Sequence, residues 1–231
     1  STRVHELDEK NRREELRSRK LELDTLQYQI NPHFLYNTLE TIGMLAGKNE
    51  NTSVKEIVMS LSGYFKTSLS QGNTMVSLSE EIENAKHYLN TYKLRLNFNF
   101  DYSVEAEATQ AVIMKFILQP IVENSLLHGI IQSGVSNGCI SISAQLREGV
   151  DRKKDVVVTI SDNGRGMLPD RLNDVKRIMD ADTLESTLER KSFGLRNINQ
   201  RLKFQYGDGY RLHIESEWDV GTTVTIKIPV G

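Results

Sequence analysis

The chain has 231 residues, 38% of them hydrophobic and 26% charged, with a formal net charge of -2. That is ordinary globular composition, long enough for one large domain or two smaller ones, and the near-neutral balance gives no electrostatic basis for binding nucleic acid. A lone cysteine, Cys139, excludes an internal disulfide and fits a reducing compartment. No apolar run approaches the roughly 20 residues of a membrane span. No secretory signal opens the chain, so a cytosolic piece of something longer is expected.

Residues 1–20 are mostly charged, with both signs mixed. Leu16, Leu23 and Ile30 then recur every seven residues, with Leu26 three after Leu23, a short a/d seam. The stretch LQYQINPHFLYNTLE (26–40) places Pro32 inside a helical pattern, directly before His33. Proline removes a backbone N–H and crowds the carbonyl four residues back, that of Tyr28, so a bend that turns His33 outward is expected. Leu35, Leu39, Ile42 and Ala46 resume the helical spacing. GKNEN (47–51) reads as a turn, and a second helix over about 52–70 carries Val54, Ile57, Val58, Leu61, Tyr64, Phe65 and Leu69. Such an antiparallel hairpin cannot cover both its apolar faces. Either a second copy completes a four-helix bundle, which is the expectation here, or the rest of the chain packs on it.

Ser79 precedes Glu80, Glu81 and Glu83, an acidic first turn that predicts a helix reaching about Leu96. The period then changes to two: Phe98, Phe100, Tyr102 and Val104 alternate with polar residues. Further strands are predicted around 140–146, 156–160, 212–214 and 224–228, with helices near 115–131 and 195–206. Strands and helices mixed without regular βαβ alternation point to an α+β fold, a helical hairpin followed by an α/β sandwich with helices on one face of a mixed sheet. The boundary between the two parts falls near 72–97.

The second part carries the motifs. SDNGRGM (161–167) follows the VVVTI strand and ends it with an acceptor, Asp162, and two glycines, Gly164 and Gly166, that allow close backbone approach. Alone it matches many surface turns. LQPIVENSLLHGI (118–130) carries Glu123, Asn124 and His128, and the last two share a helical face. They either bond the sheet or wall a site where the Asn124 oxygen could hold a hard cation such as Mg²⁺. SFGLRNINQRL (192–202) opens a helix at Gly194 and Leu195, where a helix N-terminus favours phosphate. DVGTTVTIKIP (219–229) is a glycine turn entering a strand, with Thr223 just inside it. No Walker-type GxxxxGK[ST] and no protein-kinase HRD or DFG run occurs. The remaining histidines, His5, His87 and His213, have no partner at zinc-ligand spacing.

Together and in this order the four motifs resemble the ATP-binding domain of the histidine kinase, gyrase, Hsp90 and MutL superfamily. The resemblance implies an N box at Glu123, Asn124 and His128, and glycine boxes at Asp162–Gly164–Gly166, at Gly194–Leu195 and at Gly221–Thr222–Thr223. It implies ATP and Mg²⁺ as ligands, Asp162 on the adenine amine, Asn124 on the metal, and a lid over 167–193. Ser192 stands where the second glycine box usually opens with glycine. The run QINPHFLYNTL, with His33 and Asn37, resembles the phosphoacceptor region of LytS/YesM-type sensor histidine kinases. That likeness implies segments of 1–75 (signalling helix and dimerising phosphoacceptor hairpin), 76–97 (linker helix) and 98–231 (ATP-binding domain). It also implies a homodimer in the cytoplasm, a membrane sensor segment outside the chain, and phosphoryl transfer from ATP to His33 and onward to a response regulator. A regulator without catalysis and an ATPase without a phosphohistidine are the alternatives. The residue after His33 is Phe34, and Glu40 is about 10 Å further along a helix, so the resemblance makes Glu123 the candidate base, the alternative being that it only orients the N-box helix or a lid residue.

Overall fold

The computed structural model describes residues 32–68, 74–94, 96, 98–148, 154–181 and 193–230. The a/d seam of Leu16, Leu23, Leu26 and Ile30, the Tyr28 carbonyl behind the expected bend, and Ser192 lie outside the described residues.

Helices α1 (Pro32–Gly47) and α2 (Asn51–Ser68) form the hairpin, joined through Asn49 at φ 58°. The face that α1 buries is Phe34, Thr38, Thr41 and Leu45. The two threonines tolerate burial because their hydroxyls bond back to the helix: Thr38 Oγ1 donates to the Phe34 carbonyl at 2.8 Å and Thr41 Oγ1 to that of Asn37 at 2.7 Å. The apolar stripe seen in the sequence faces outward instead. Leu39 is 51% exposed, and Val58 and Met59 on α2 are 47% and 64% exposed.

Helix α3 (Leu78–Lys93) starts one residue before Ser79. Ser77 is the cap: its Oγ accepts the Glu80 N–H at 3.2 Å, while Glu80 Oε2 accepts the Ser77 N–H at 2.9 Å. This reciprocal pair satisfies two end donors. Leu78, Ile82, Ala85 and Leu89 are buried, and Tyr88 and Tyr92 stack with Phe34 of α1 at centroid distances of 5.0 and 6.0 Å. Helix α3 therefore packs on the hairpin as well as on the domain that follows.

A two-stranded antiparallel ladder, β1 (Met75–Ser77) on β3 (Val112–Met114), ties the start of α3 to that domain. The main sheet comprises β2 (Phe98–Val104), β4 (Gly138–Glu148), β5 (Lys154–Asp162), β6 (Leu212–Glu217) and β7 (Gly221–Val230). Its order is β2-β4-β5-β7-β6, with β2 and β4 parallel and every other pair antiparallel. Ile140, Ile142, Val156, Val158, Ile160, Val224, Ile226 and Ile228 are buried on one face. The other is hydroxyl-rich: Thr159 Oγ1 lies 3.5 Å from Thr225 Oγ1, and Ser161 Oγ lies 2.8 Å from Thr223 Oγ1. A polar, half-exposed face explains why the helices gather on one side only.

Before helix α4 (Gln119–Asn124) the chain makes a buried turn with Phe116 at φ 59°. Glu81 of α3, fully buried, takes all three backbone donors of that turn. Oε1 accepts the Phe116 N–H at 2.8 Å, and Oε2 accepts those of Ile117 and Leu118 at 3.0 and 3.1 Å. Burial pushes the Glu81 carboxyl up, and these bonds pull it back. Helix α6 (Phe193–Tyr206) holds the carbonyl side, with Arg201 donating to the Lys115 and Phe116 oxygens at 2.5 and 3.1 Å. Glu81→Leu leaves three backbone donors stranded, at about 1–3 kcal/mol for each. Removing Glu83, the half-exposed partner of Lys86, costs about 0–1 kcal/mol. Urea denaturation should separate the two variants clearly, and equal midpoints would sink this account of the turn.

Candidate functional site

Helix α4 continues without a break as a π-helix over Ser125–Ile131, closing with the Gln132 N–H on the Leu127 carbonyl at 3.0 Å. The wider turn brings His128 and Gly129 together onto the wall that Ile121, Asn124 and Ser125 already form. Opposite stand Leu195 of α6, Ile214, Val224 and helix α5 (Pro169–Asp180), which contributes Arg171 and Val175. Between them is a cavity of about 340 Å³, mostly apolar in its walls and reached, among the described residues, by one carboxylate, Asp162.

Asp162 is 7% exposed. Its Oδ1 accepts the Gly164 N–H at 3.0 Å, and the Ser125 hydroxyl and the Thr222 N–H also bond to it. Burial pushes its carboxyl above the usual range, and those donors oppose the rise. The fit depends on glycine. A Cβ on Gly129 would stand 2.6 Å from Asp162 Oδ1, and one on Gly164 would stand 2.2 Å from the Gly129 carbonyl oxygen. Gly166 has φ 66° and no room for a side chain, since a Cβ there would meet the Glu217 carbonyl at 1.9 Å.

Of the residues singled out in the sequence, Asn124, His128, Asp162, Gly166 and Leu195 line this cavity. Gly164 lies beneath it against Gly129, and Gly194 begins α6 beside Leu195. Thr223 does not line it. Its Oγ1 pairs with Ser161 on the outer face, and its neighbours Thr222 and Val224 line the cavity, because adjacent strand residues face opposite sides. The expected lid is also altered: residues 169–180 are helix, with Val175, Ile178 and Met179 buried, so the first half of the segment is a packed wall. Residues 182–192 lie outside the described part. Gly129, Ser125 and Arg171 went unremarked in the sequence, although Gly129 directly follows His128 and closes the N-box motif.

His33 does not reach the cavity; it is exposed on α1. Asn37 Nδ2 lies 3.2 Å from its Nδ1 and 3.3 Å from its Nε2. The neighbouring Phe34 is anchored in an aromatic cluster with Tyr64 at 4.8 Å and Tyr88 at 5.0 Å. Glu123 turns away from the cavity towards that cluster. Its Oε1 accepts from Gln119 Nε2 at 2.9 Å, burial raises its carboxyl, and the Gln119 bond opposes the rise. Tyr64 is pushed up to about 12, first by burial and then by the charge of Glu123. The Asn124 amide, half-buried on the cavity wall, makes no hydrogen bond among the described residues, so its oxygen is available to a hard cation.

A mixed sheet thus carries a glycine-lined cavity with Asp162 buried in it, beside a hairpin that bears an exposed histidine. Residues 109–231 match the family described as histidine kinase-, DNA gyrase B- and HSP90-like ATPase, and residues 21–100 match the histidine kinase family. The chain belongs to this family of histidine kinases and related ATPases. It is similar to the sensor histidine kinase YesM of Bacillus subtilis, with 34% identity over 98% of this chain and 36% of the relative. It is similar to the sensor protein LytS of Streptococcus mutans, with 35% identity over 90% of this chain and 34% of that protein. It also matches the sensor protein kinase HptS of Staphylococcus aureus, with 30% identity over 94% of this chain and 40% of that one. The chain thus spans little more than a third of each relative's length.

Gly129→Ala should lower ATP affinity at least tenfold, about 1.4 kcal/mol, because the added methyl pushes Asp162 aside. Gly209→Ala, with nothing within 4 Å, is the control. Calorimetric titration of both variants with ATP tests whether the cavity is the nucleotide site, and matching affinities would place the nucleotide elsewhere.

Proposed function

We propose that this chain is the kinase core of a two-component sensor: it binds ATP in the Asp162 cavity and transfers the γ-phosphoryl group to His33, from which an aspartate of a response regulator receives it. What carries the reading is that one chain holds an exposed imidazole on a helical hairpin and, in the domain packed against that hairpin, a cavity into which the buried carboxylate Asp162 reaches. The relatives' names as sensor kinases support it. Among the described residues no helix is long and apolar enough to cross a membrane.

Each residue then has a task. Asp162 accepts a hydrogen bond from the adenine amine, and Ile121, Leu195, Ile214 and Val224 offer the ring an apolar slot. Asn124 would hold Mg²⁺ through its side-chain amide oxygen, a donor type suited to a hard cation. Bound there, the ion would neutralise charge on the terminal phosphates. A neutral His33 attacks the γ-phosphorus through one ring nitrogen as the bond to the β-phosphate oxygen breaks and ADP leaves. The proton on the other nitrogen passes to a base, for which Glu123 is the candidate. Asn37, one turn along α1, holds the ring in place.

His33→Gln should abolish acid-labile labelling by γ-labelled ATP and leave ATP affinity unchanged, because acceptor and nucleotide sit on separate elements. Label persisting on the variant removes His33 from the mechanism, and a wild-type chain that never labels favours a regulator without catalysis.

The outward stripe on the hairpin fits a second copy. Leu39, Val58 and Met59 are exposed and apolar on adjacent helices. Leu39→Asp with Ile42→Asp would bury charge in that bundle at several kcal/mol. Sedimentation should then report a monomer, and a dimer that survives both changes uses another surface.

A further inference from the structure

Gln119 is 2% exposed and every polar hydrogen and oxygen of its amide is engaged. One Nε2 hydrogen goes to Tyr64 Oη of α2 at 2.6 Å and the other to Glu123 Oε1 at 2.9 Å. Its Oε1 accepts from Asn84 Nδ2 of α3 at 3.1 Å. Asn84 is oriented in turn, its Oδ1 accepting the Thr67 hydroxyl of α2 at 2.7 Å and that of Ser68 at 3.3 Å. The donor and acceptor demands agree at each link, so the amide of Gln119 has a single satisfactory orientation. Tyr64 meets Phe34, the residue after His33, ring to ring at 4.8 Å.

We infer that Gln119 is the positioning residue of Glu123: its amide, held by Tyr64 of the phosphoacceptor hairpin and Asn84 of the linker helix, aims the glutamate oxygen and does so only while the hairpin is seated. The inference rests on the reading of Glu123 as the base. It makes the base conditional on docking. If the hairpin shifts, the Tyr64 bond breaks, the amide is free to turn, and Glu123 loses the donor that aims its oxygen.

Tyr64 of α2 and Tyr88 of α3 face Glu123, both raised by burial and then by its charge, and Arg201 of α6 holds the carbonyls at the head of α4.

The test is single-turnover His33 labelling at saturating ATP, read as a double-mutant cycle. Gln119→Met keeps the side-chain length and removes the donors. It should slow labelling about tenfold or more, within the range of a misaligned general base, and leave ATP affinity unchanged. Placed on Glu123→Gln, Gln119→Met should slow labelling no further, since the two residues act as one unit. Tyr64→Phe, which spares the core volume, should show the same dependence on Glu123 and serves if Gln119→Met does not fold. Unchanged labelling in these variants, or equal slowing on the Glu123→Gln background, overturns the inference and makes Gln119 a packing amide. The prior reading fails separately: Glu123→Gln labelling within threefold of wild type removes Glu123 as base.

Discussion

The placement of everything functional depends on one buried carboxylate. Glu81 takes the three N–H groups of the turn before α4, donors that a helix start otherwise leaves unpaired. Arg201 takes the carbonyls of the same turn from the opposite side. Helix α4 is thereby clamped between α3 and α6 at its first residues, and α4 carries both Asn124 on the cavity wall and Glu123 facing the hairpin. Lys115 adds a third tie, donating from Nζ to the Ser68 carbonyl of α2 at 2.9 Å. The donors have no substitute partners in the interior, so the turn cannot drift without stranding them.

Two carboxylates one short helix apart have been given opposite surroundings. Asp162 sits under backbone and hydroxyl donors beside an apolar slot, suited to meeting a ligand amine. Glu123 sits among phenols with one amide donor, suited to taking a proton. Burial raises both, and what separates them is the number and kind of donors each receives. His33 and the Asp162 cavity lie on different elements of the fold, and packing and hydrogen bonds connect them. The aromatic cluster of Phe34, Tyr64, Tyr88 and Tyr92 supplies the packing, and Gln119 the hydrogen bonding.

Local pattern sufficed where the physics is local. The period of two in 98–104 and the alternations around Ile142, Val158 and Ile226 report strands directly, since successive side chains take opposite faces. The nucleotide motifs were legible because glycine, aspartate and asparagine are needed there for backbone approach and for oxygen donors, whatever surrounds them. The run around His33 was legible as a family resemblance. By contrast, Thr223 was chosen for the cavity when Thr222 faces it, because a strand's register is set by its partners. The α1 stripe of Leu35, Leu39, Ile42 and Ala46 was taken as one helical face, which it is. Which face turns inward was decided by Phe34 entering a cage of tyrosines that lies more than fifty residues downstream in part.

The sequence by itself determined the helical hairpin, the strands, the glycine boxes and the histidine that stands apart from them, since each follows from propensity, period or the chemistry of a single residue type. Tertiary structure alone decided that Glu81 reaches the 116–118 donors, that Gly129 makes space for Asp162, and that Gln119 joins Tyr64 to Glu123. The Glu81 and Tyr64 contacts link residues 35 to 55 positions apart in the chain. A hydrogen bond over such a separation depends on how whole elements pack, and no periodicity within any one element encodes it.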